Sequence, residues 1–206
     1  MMNTIERHAN IRVYISKNVQ QCNYPCGTLI MVAGGGGGYT GPAAIYPDLA
    51  KEMQEYPNII SVQMDYRYPS DLEPCVQDLI ETIDILVSRY QIERVVLIGW
   101  SFGGAVVISA GAQHRLVRAI ATVASQTAGT NSVSKLAQKG KACLFIHGKG
   151  DQCLPFRCSE QLYRLAGEPK ELVLYDGDNH GVTNHRDEVK DKLKQFVLQY
   201  LCLPTK

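Results

Sequence analysis

The sequence predicts an α/β fold, a three-layer α/β/α sandwich on a mostly parallel sheet of about six to eight strands. From residue 28 onward, short apolar runs rich in Val, Ile and Leu alternate with helical patterns, as in parallel sheets that helices cover on both faces. The 206 residues suit one domain at about 150 residues per domain. No linker interrupts the alternation, so we expect a single domain over residues 1–206.

The strands are predicted from short apolar runs in which β-branched residues are frequent. The candidates for the parallel part of the sheet are Thr28–Val32, Ile59–Asp65, Arg94–Ile98, Ala119–Ala124, Ala142–His147 and Glu171–Tyr175. Nearer the N-terminus, Ile11–Ser16 is a further strand, and the residues around Tyr24 are a weaker candidate.

Helices are predicted where apolar residues recur at spacings of three and four. Such a stripe runs through residues 71–90, with Ser70 as the candidate N-cap. A second stripe begins near Arg186 and has Lys and Asp on its opposite face. We expect this last helix to close the domain.

Composition excludes several classes of function. Lys and Arg number 21 against 20 Asp and Glu, so the chain has no excess positive charge to hold a nucleic acid or an anionic membrane. No apolar run approaches the roughly 20 residues that a membrane span needs, and the N-terminus has no hydrophobic signal-peptide region. We therefore expect a soluble protein that is not exported and binds neither nucleic acid nor membrane.

Seven cysteines form an odd set without a CxxC pair, which fits neither a disulfide framework nor a zinc site. Cys22 and Cys26 flank a Tyr-Pro turn and are the one pair close enough in sequence to consider as a bond. Scattered thiols in a reducing compartment, the cytoplasm, are the preferred interpretation.

The strongest chemical signal is the segment Gly99-Trp100-Ser101-Phe102-Gly103, which follows a predicted strand and opens a helical run. A G-x-S-x-G turn between strand and helix holds a nucleophilic serine clear of the sheet, and small residues on both sides let the two elements approach. Ser101 is therefore the candidate nucleophile.

A serine hydroxyl needs a base to take its proton and a carboxylate to orient that base. Asp151 follows the predicted strand CLFIH, and His180 follows the next strand, ELVLY. Both positions lie at the carboxyl edge of the sheet, where parallel α/β folds place their ligands. Asp151 is the candidate orienting acid and His180 the candidate base.

Other acids and histidines compete for these roles. His185 is the alternative base, and Asp176 and Asp178 are alternative acids, although their closeness to His180 favours turn formation. The remaining histidines have no glycine-rich loop around them or end a buried strand, and they are interpreted as structural: His8, His114 and His147.

The five consecutive glycines after the strand TLIMV are suited to an oxyanion hole, because glycine presents backbone amides without side-chain obstruction. One donor would be Gly35 or Gly36, and the other the amide of Phe102 at a helix N-terminus. The same run also satisfies G-x-G-x-x-G over residues 36–41, so a dinucleotide cradle is the alternative. Against the cradle, no acidic residue lies at a strand end about 20 residues further on, since Asp65 is 24 residues beyond Gly41.

In the order glycine-rich turn, G-x-S-x-G, H-G-x-x-D and N-H-G, the chain resembles the α/β-hydrolases from about residue 28 to 201. The D-Y-R stretch that begins at Asp65 is similar to hormone-sensitive-lipase-like esterases and other carboxylesterases. Ala33 stands where their H-G-G-G loop has histidine, and the G-W-S-F-G-G turn looks more like dienelactone-hydrolase and peptidase-type relatives. The resemblance implies Ser101, Asp151 and His180 as triad, with no metal or organic cofactor.

The resemblance also implies an esterase without a lid, since residues 125–140 leave room for only a loop or one short helix where many relatives carry a cap domain. An open site suits small or extended acyl substrates. Adjacency to the catalytic loops suggests four pocket residues: Tyr39, Trp100, Gln126 and Leu154. Hydrolysis of carboxylic esters is the leading hypothesis. The alternatives are a thioesterase, a peptidase or amidase, a non-catalytic binding protein of the same fold, or a dinucleotide-binding protein.

Overall fold

One sheet of eight strands, in the order β1-β2-β4-β3-β5-β6-β7-β8, organises the chain. The computed structural model describes residues 2–5, 10–15 and 26–202, with side chains from residue 27 onward. β2 pairs antiparallel with both β1 and β4, and every other pair is parallel. The strands are β1 Met2–Ile5, β2 Asn10–Ile15, β3 Cys26–Val32, β4 Ile59–Asp65, β5 Ile92–Trp100, β6 Val117–Val123, β7 Ala142–Gly148 and β8 Lys170–Tyr175.

Helices cover both faces of this sheet, as the alternating pattern predicted. Their bounds are α1 Ile45–Met53, α2 Leu72–Tyr90, α3 Phe102–Gln113, α4 Val133–Gln138, α5 Arg157–Leu165 and α6 Arg186–Leu201, with a 3-10 turn at Pro42–Ala44. Buried residues of α2, α3, α4 and α5 pack on one face, and those of α1 and α6 pack on the other. The three-layer α/β/α architecture is confirmed.

Strand residues alternate between the two layers. In β3, Ile30 and Val32 face the layer that contains α2, whereas Leu29 and Met31 face α1 and α6. All four side chains are buried, which explains why the parallel strands are continuous apolar runs without the polar alternation of a half-exposed sheet.

The six predicted parallel strands are confirmed, with ends that differ by at most two residues. The predicted N-terminal strand corresponds to β2, although Ser16 and the candidate strand near Tyr24 lie outside the described residues. The question of a bond between Cys22 and Cys26 lies outside the described side chains as well.

No cap domain separates β6 from β7. The intervening residues form turns and the single short helix α4, as the sequence predicted. Within the described ranges, the helices are all too short or too polar to cross a bilayer.

The predicted N-cap of α2 is wrong by one residue. Asp71 is the N-cap, while Ser70 adopts a left-handed φ of 71°. The Ser70 hydroxyl instead donates a hydrogen bond to the carbonyl of Gly35, at 2.8 Å. A contact with the distant glycine run therefore replaces the local capping bond.

Close backbone contacts fix the position of the start of α3 relative to the ends of β5 and β3. A Cβ atom at Gly99 would lie 2.1 Å from the carbonyl oxygen of Gly103, and one at Gly103 would lie 2.3 Å from that of Ala33. Real Cβ atoms do not approach backbone so closely, so both positions require glycine. These contacts set the start of α3 directly beside the end of β3.

We predict that Gly99→Ala destabilises the protein by at least about 3 kcal/mol, because the added methyl group meets rigid backbone on α3. Chemical denaturation followed by circular dichroism measures the free energy of unfolding. Gly36→Ala is the matched control, since a Cβ there meets nothing within 4 Å. Equal unfolding free energies for the two variants would contradict the tight contact between β5 and α3.

Candidate active site

Ser101 lies in the tight turn between β5 and α3. Its backbone has φ 56° and ψ −120°, a conformation that residues with a side chain rarely adopt. Its amide donates to the carbonyl of Val123 at the end of β6, at 2.8 Å. The turn thus holds the Ser101 hydroxyl at the carboxyl edge of the sheet in a strained but well-anchored conformation.

His180 reaches this hydroxyl from the loop that follows β8. Its Nε2 atom lies 3.0 Å from Ser101 Oγ. The Trp100 indole donates to the His180 carbonyl at 3.0 Å, and the two rings pack with their centroids 5.5 Å apart. These two contacts with Trp100 therefore help to hold His180 in place.

Asp151 completes a continuous line of hydrogen bonds. Its Oδ2 atom lies 2.7 Å from Nδ1 of His180, and its Oδ1 atom accepts the amides of Cys153 and Leu154, at 2.7 and 3.0 Å. Burial alone would raise the pKa of Asp151, but hydrogen bonds from the Leu154 amide, His180 and the Cys153 amide outweigh it and hold that pKa below its ordinary value. The carboxylate is therefore charged at neutral pH.

The same bonds fix the tautomer of His180. A carboxylate only accepts hydrogen bonds, so Nδ1 carries the proton and donates to Asp151. The neutral ring then presents a bare Nε2 that accepts the Ser101 O–H. This arrangement can draw a proton from the hydroxyl and hold the resulting imidazolium beside a carboxylate.

The competing acids have other partners. Buried Asp178 accepts hydrogen bonds from the His185 ring and from the amides of Asn179, Asn184 and His185, all between 2.8 and 3.2 Å. This places Asp178 as the support of the loop that carries His180, and it pairs the alternative base with an acid away from Ser101. Exposed Asp176 forms an ion pair with Lys149 at 2.6 Å.

Two histidines interpreted as structural have acidic neighbours of their own, and His8 lies outside the described residues. Nε2 of His114 lies 3.2 Å from Asp84 on α2. His147 is fully buried at the end of β7, and its Nε2 atom lies 3.0 Å from Asp151 Oδ2, the oxygen that also holds His180. The sequence pattern gave no signal for this second contact with Asp151.

The glycine run passes directly in front of Ser101. A Cβ at Gly34 would lie 3.3 Å from that of Ser101, and the Gly38 amide donates to Asp65 Oδ1 at 2.7 Å. Within the described part of the chain, the amides of Gly35, Gly36 and Phe102 donate no hydrogen bond. Gly35 and Phe102 line a pocket together with Ser101, so their amides are available to a ligand there, whereas the described lining of that pocket does not include Gly36.

A pocket of about 660 Å³ opens onto Ser101 and His180. Of the four pocket residues suggested by the sequence, Gln126 and Leu154 line this cavity, whereas its lining among the described residues includes neither Tyr39 nor Trp100. Trp100 is turned beneath His180, and the Tyr39 carbonyl accepts a hydrogen bond from Gln63 on β4, at 2.8 Å. Closeness in sequence to Ser101 or to the glycine run therefore does not determine which residues line the pocket.

Apart from His180, the described residues that line the pocket have no acidic or basic side chain. Among the described lining residues there is no Lys, Arg or Glu, and Asp151 is not exposed to the pocket. The Ser70 hydroxyl and the Gln126 amide nitrogen donate to backbone carbonyls of Gly35 and Ala128. The described lining of the pocket is therefore electrically neutral apart from His180.

Asp151, Cys153 and His180 bring three potential metal-ligand atoms within 4.8 Å of one another. Both oxygens of Asp151 and both nitrogens of His180 already take part in hydrogen bonds. A cation would bind there only by breaking the contacts that align Ser101. We therefore assign these residues to the hydrogen-bond network.

One family model matches most of the chain. The model of the dienelactone hydrolase family matches residues 37–197, a span that contains Ser101, Asp151 and His180. The chain is also 31% identical over 135 residues to the uncharacterized protein YfhR of Escherichia coli O157:H7, an alignment that covers 53% of this chain and 47% of that protein. The chain thus spans about half the length of the curated relatives it matches.

Solved structures share the fold over nearly the whole chain. A dienelactone hydrolase from Anabaena variabilis superposes with a TM-score of 0.79 at 15% identity, covering 98% of this chain and 99% of that one. Est1E from Butyrivibrio proteoclasticus has a TM-score of 0.74 at 18% identity, with 96% and 98% covered. An α/β serine hydrolase without a lid from Xanthomonas campestris has a TM-score of 0.75 at 15% identity, with 100% and 96% covered. The α/β-hydrolase fold and the absence of a cap are confirmed.

We predict that Ser101→Gly makes the protein about 1 kcal/mol more stable than Ser101→Ala. Both changes remove the hydroxyl, but only glycine relieves the strain of a positive φ, which costs about 1–3 kcal/mol, against a smaller entropic loss. Thermal and urea unfolding of the two variants measure the difference. Ser109→Gly and Ser109→Ala, inside α3, are the matched control pair. There the order reverses, because glycine weakens a helix interior. The same order at both positions would contradict strain at Ser101.

Proposed function

The chain belongs to the dienelactone hydrolase family, and from this premise we propose that it is a serine hydrolase that cleaves carboxylic esters of small, uncharged substrates. One observation carries the proposal. Ser101, His180 and Asp151 form a line of hydrogen bonds of 3.0 and 2.7 Å at the edge of an open pocket. Three loops that are far apart in sequence have no structural need to align a hydroxyl, an imidazole and a buried carboxylate in this order.

Acylation begins when Ser101 Oγ attacks the ester carbonyl carbon and its proton passes to Nε2 of His180. Asp151 stabilises the imidazolium through Nδ1–H. The tetrahedral intermediate then expels the alcohol, which takes the proton from Nε2. Water repeats the sequence on the acyl-enzyme, with His180 again as base, and releases the acid and free Ser101.

Negative charge that develops on the carbonyl oxygen needs donors already in place. The Phe102 amide lies at the N-terminus of α3, where the helix dipole adds positive potential. The Gly35 amide is the candidate for the second donor, because Gly35 lines the pocket together with Ser101 and Phe102, and the amide of the adjacent Gly36 is the alternative. Two such amides form an oxyanion hole, and losing one donor of this kind typically costs about 3–4 kcal/mol of transition-state stabilisation.

The lining of the pocket supports an uncharged substrate. Leu72, Phe102 and Leu154 supply apolar surface, while the Ser70 hydroxyl and one N–H of the Gln126 amide already donate within the chain. An anionic group would lose its hydration without gaining a cationic partner. Substrates with short or extended neutral acyl groups suit this open pocket best.

Thioesters and amides are the runner-up substrates, since they pass through the same acyl-enzyme. The dinucleotide alternative is less well supported, because part of the glycine run is tied to Asp65 and Gly34 lies against Ser101. A nucleotide cradle would also give no role to the aligned His180.

We further propose a cytoplasmic protein. The cysteines with described side chains are free thiols: Cys75, Cys143, Cys153, Cys158 and Cys202. Burial raises the pKa of Cys75 and Cys143 to about 12, which keeps these two thiols protonated and unreactive.

The first test of the proposed reaction is covalent labelling by a fluorophosphonate together with hydrolysis of p-nitrophenyl acetate. We expect labelling of the wild type, none of Ser101→Ala, and a fall in kcat of roughly 10⁴-fold for Asp151→Asn, which disturbs the tautomer of His180. Asp176→Asn is the control, because that exposed carboxylate lies four residues before His180 but contacts Lys149. Labelling that survives Ser101→Ala would refute the proposal, and full activity of Asp151→Asn would show that Asp151 does not orient His180.

The second test concerns substrate charge. We expect kcat/KM for p-nitrophenyl hemisuccinate to be at least about 10-fold below that for p-nitrophenyl 4-methylpentanoate, in which an isopropyl group replaces the carboxylate, because the pocket offers the anion no cation. Gln126→Arg, which places a cation on the pocket wall, should narrow this ratio. Equal rates for both esters in the wild type would show that charge is not selected.

A further inference from the structure

His147 is a buried, titratable residue that the proposed mechanism does not use. It is the next-to-last residue of β7, and its side chain has no exposed surface. Its Nε2 atom lies 3.0 Å from Asp151 Oδ2 and 3.0 Å from the Leu154 carbonyl oxygen, and its Nδ1 atom lies 2.7 Å from the Ser159 hydroxyl on α5. The hydrogen-bond line from Ser101 therefore continues beyond Asp151 into the core.

The partners of His147 determine which nitrogen carries its proton. A carboxylate and a carbonyl oxygen only accept hydrogen bonds, so Nε2 is protonated and donates to both. The remaining nitrogen, Nδ1, accepts the Ser159 hydroxyl when the ring is neutral. Burial has the largest influence on the pKa of His147 and lowers it, against smaller opposing effects of Leu154 and Asp151.

Two imidazoles thus share one oxygen of the same carboxylate. His180 Nδ1 lies at 2.7 Å and His147 Nε2 at 3.0 Å from Asp151 Oδ2. Each donor withdraws negative charge from that oxygen. His147, which takes no part in proton transfer, therefore weakens the interaction of Asp151 with His180, which does.

We propose that neutral His147 is a positioning residue that holds Asp151 Oδ2 and, by sharing its charge, limits the proton affinity of the His180–Asp151 pair. This role rests on the proposed ester hydrolysis. It keeps His180 able to return its proton to the leaving alcohol, because a base that binds its proton too firmly is a poor acid in the second half of each step.

Other charged or titratable groups near this network are few among the described residues. Asp151 and His180 face His147 from their loops, α5 contributes only the Ser159 hydroxyl to the ring, and the Cys153 thiol lies near Asp151 on the pocket side. The next carboxylate, Asp178, is engaged by His185. A change at His147 therefore acts on His180 through Asp151.

Two substitutions separate the donor from the bulk of the ring. His147→Gln places an amide N–H near the position of Nε2 and keeps a donor from residue 147 to Asp151. His147→Asn places its amide near the position of Nδ1, so residue 147 no longer donates to Asp151. We expect His147→Gln to keep kcat for p-nitrophenyl acetate within about 3-fold of wild type. We expect His147→Asn to lower kcat about 10-fold with little change in KM, since Asp151 loses one of two restraints on Oδ2.

The pH profile gives the decisive sign. In His147→Asn the acidic limb of kcat/KM should move to higher pH by about half a unit, because Asp151 carries more charge and holds the imidazolium more firmly. A merely structural loss would misplace Asp151 and move the limb to lower pH. An unmoved or lowered limb, or identical profiles for both variants, would overturn the proposal.

A measurement on the wild type needs no variant to fold. In ¹⁵N-histidine NMR spectra, His147 should be the neutral Nε2–H tautomer at neutral pH and should gain a second proton only at a lower pH than an exposed histidine does. Protonation of His147 at the same pH as an exposed histidine, or at a higher one, would overturn the proposal. Fluorophosphonate labelling of the wild type is scored first, so its absence marks failure of the proposed function, and labelling together with such early protonation of His147 marks failure of this inference alone.

Discussion

The close contact between the end of β3 and the start of α3 is the constraint on which the rest of the site depends. Because Gly103 lies against the Ala33 carbonyl, the start of α3 packs directly against the beginning of the glycine run. Ser101 precedes α3 at this contact, in a strained backbone conformation. The position of Ser101 beside Gly34 and that of the Phe102 amide at the start of α3 therefore both depend on one packing contact.

A second constraint is the cost of burying Asp151. An unpaired carboxylate in the protein interior is unstable, and here four donors compensate its burial: two backbone amides on Oδ1 and two imidazoles on Oδ2. The loop of Asp151 is also tied to that of His180, since the Gly150 amide donates to the Asp178 carbonyl at 2.8 Å. The fold tolerates the charged carboxylate of Asp151 beneath His180 because each lone pair of that carboxylate accepts a hydrogen bond.

Sequence patterns located the strands and three residues that the structure brings within hydrogen-bond distance, because these depend on local rules: apolar runs, a small-x-Ser-x-small turn, and loops at the carboxyl edge of a parallel sheet. The functions of Trp100, Ser70 and His147 depend on side-chain direction. Trp100 turned toward His180 and Ser70 toward Gly35. Contacts between loops that are distant in sequence set these directions, and no local pattern encodes them. For His147, the spacing H-G-x-x-D placed it four residues before Asp151, but only the path of the turn brings the two side chains together.

The D-Y-R stretch shows how the site tolerates an unusual residue in its glycine loop. Asp65 accepts the amides of Gly38 and Tyr66, at 2.7 and 2.9 Å, and the Tyr66 hydroxyl donates to the Ala33 carbonyl at 2.9 Å. These bonds hold the loop through its backbone, at its beginning and near its end, and they use no side chain of residue 33. Ala33 is buried and contributes a carbonyl to the network, so the loop keeps its course without the histidine that similar esterases have there. Asp65 and Tyr66, at the end of β4, therefore hold the two ends of the glycine run, while Ser70 bonds to Gly35 between them.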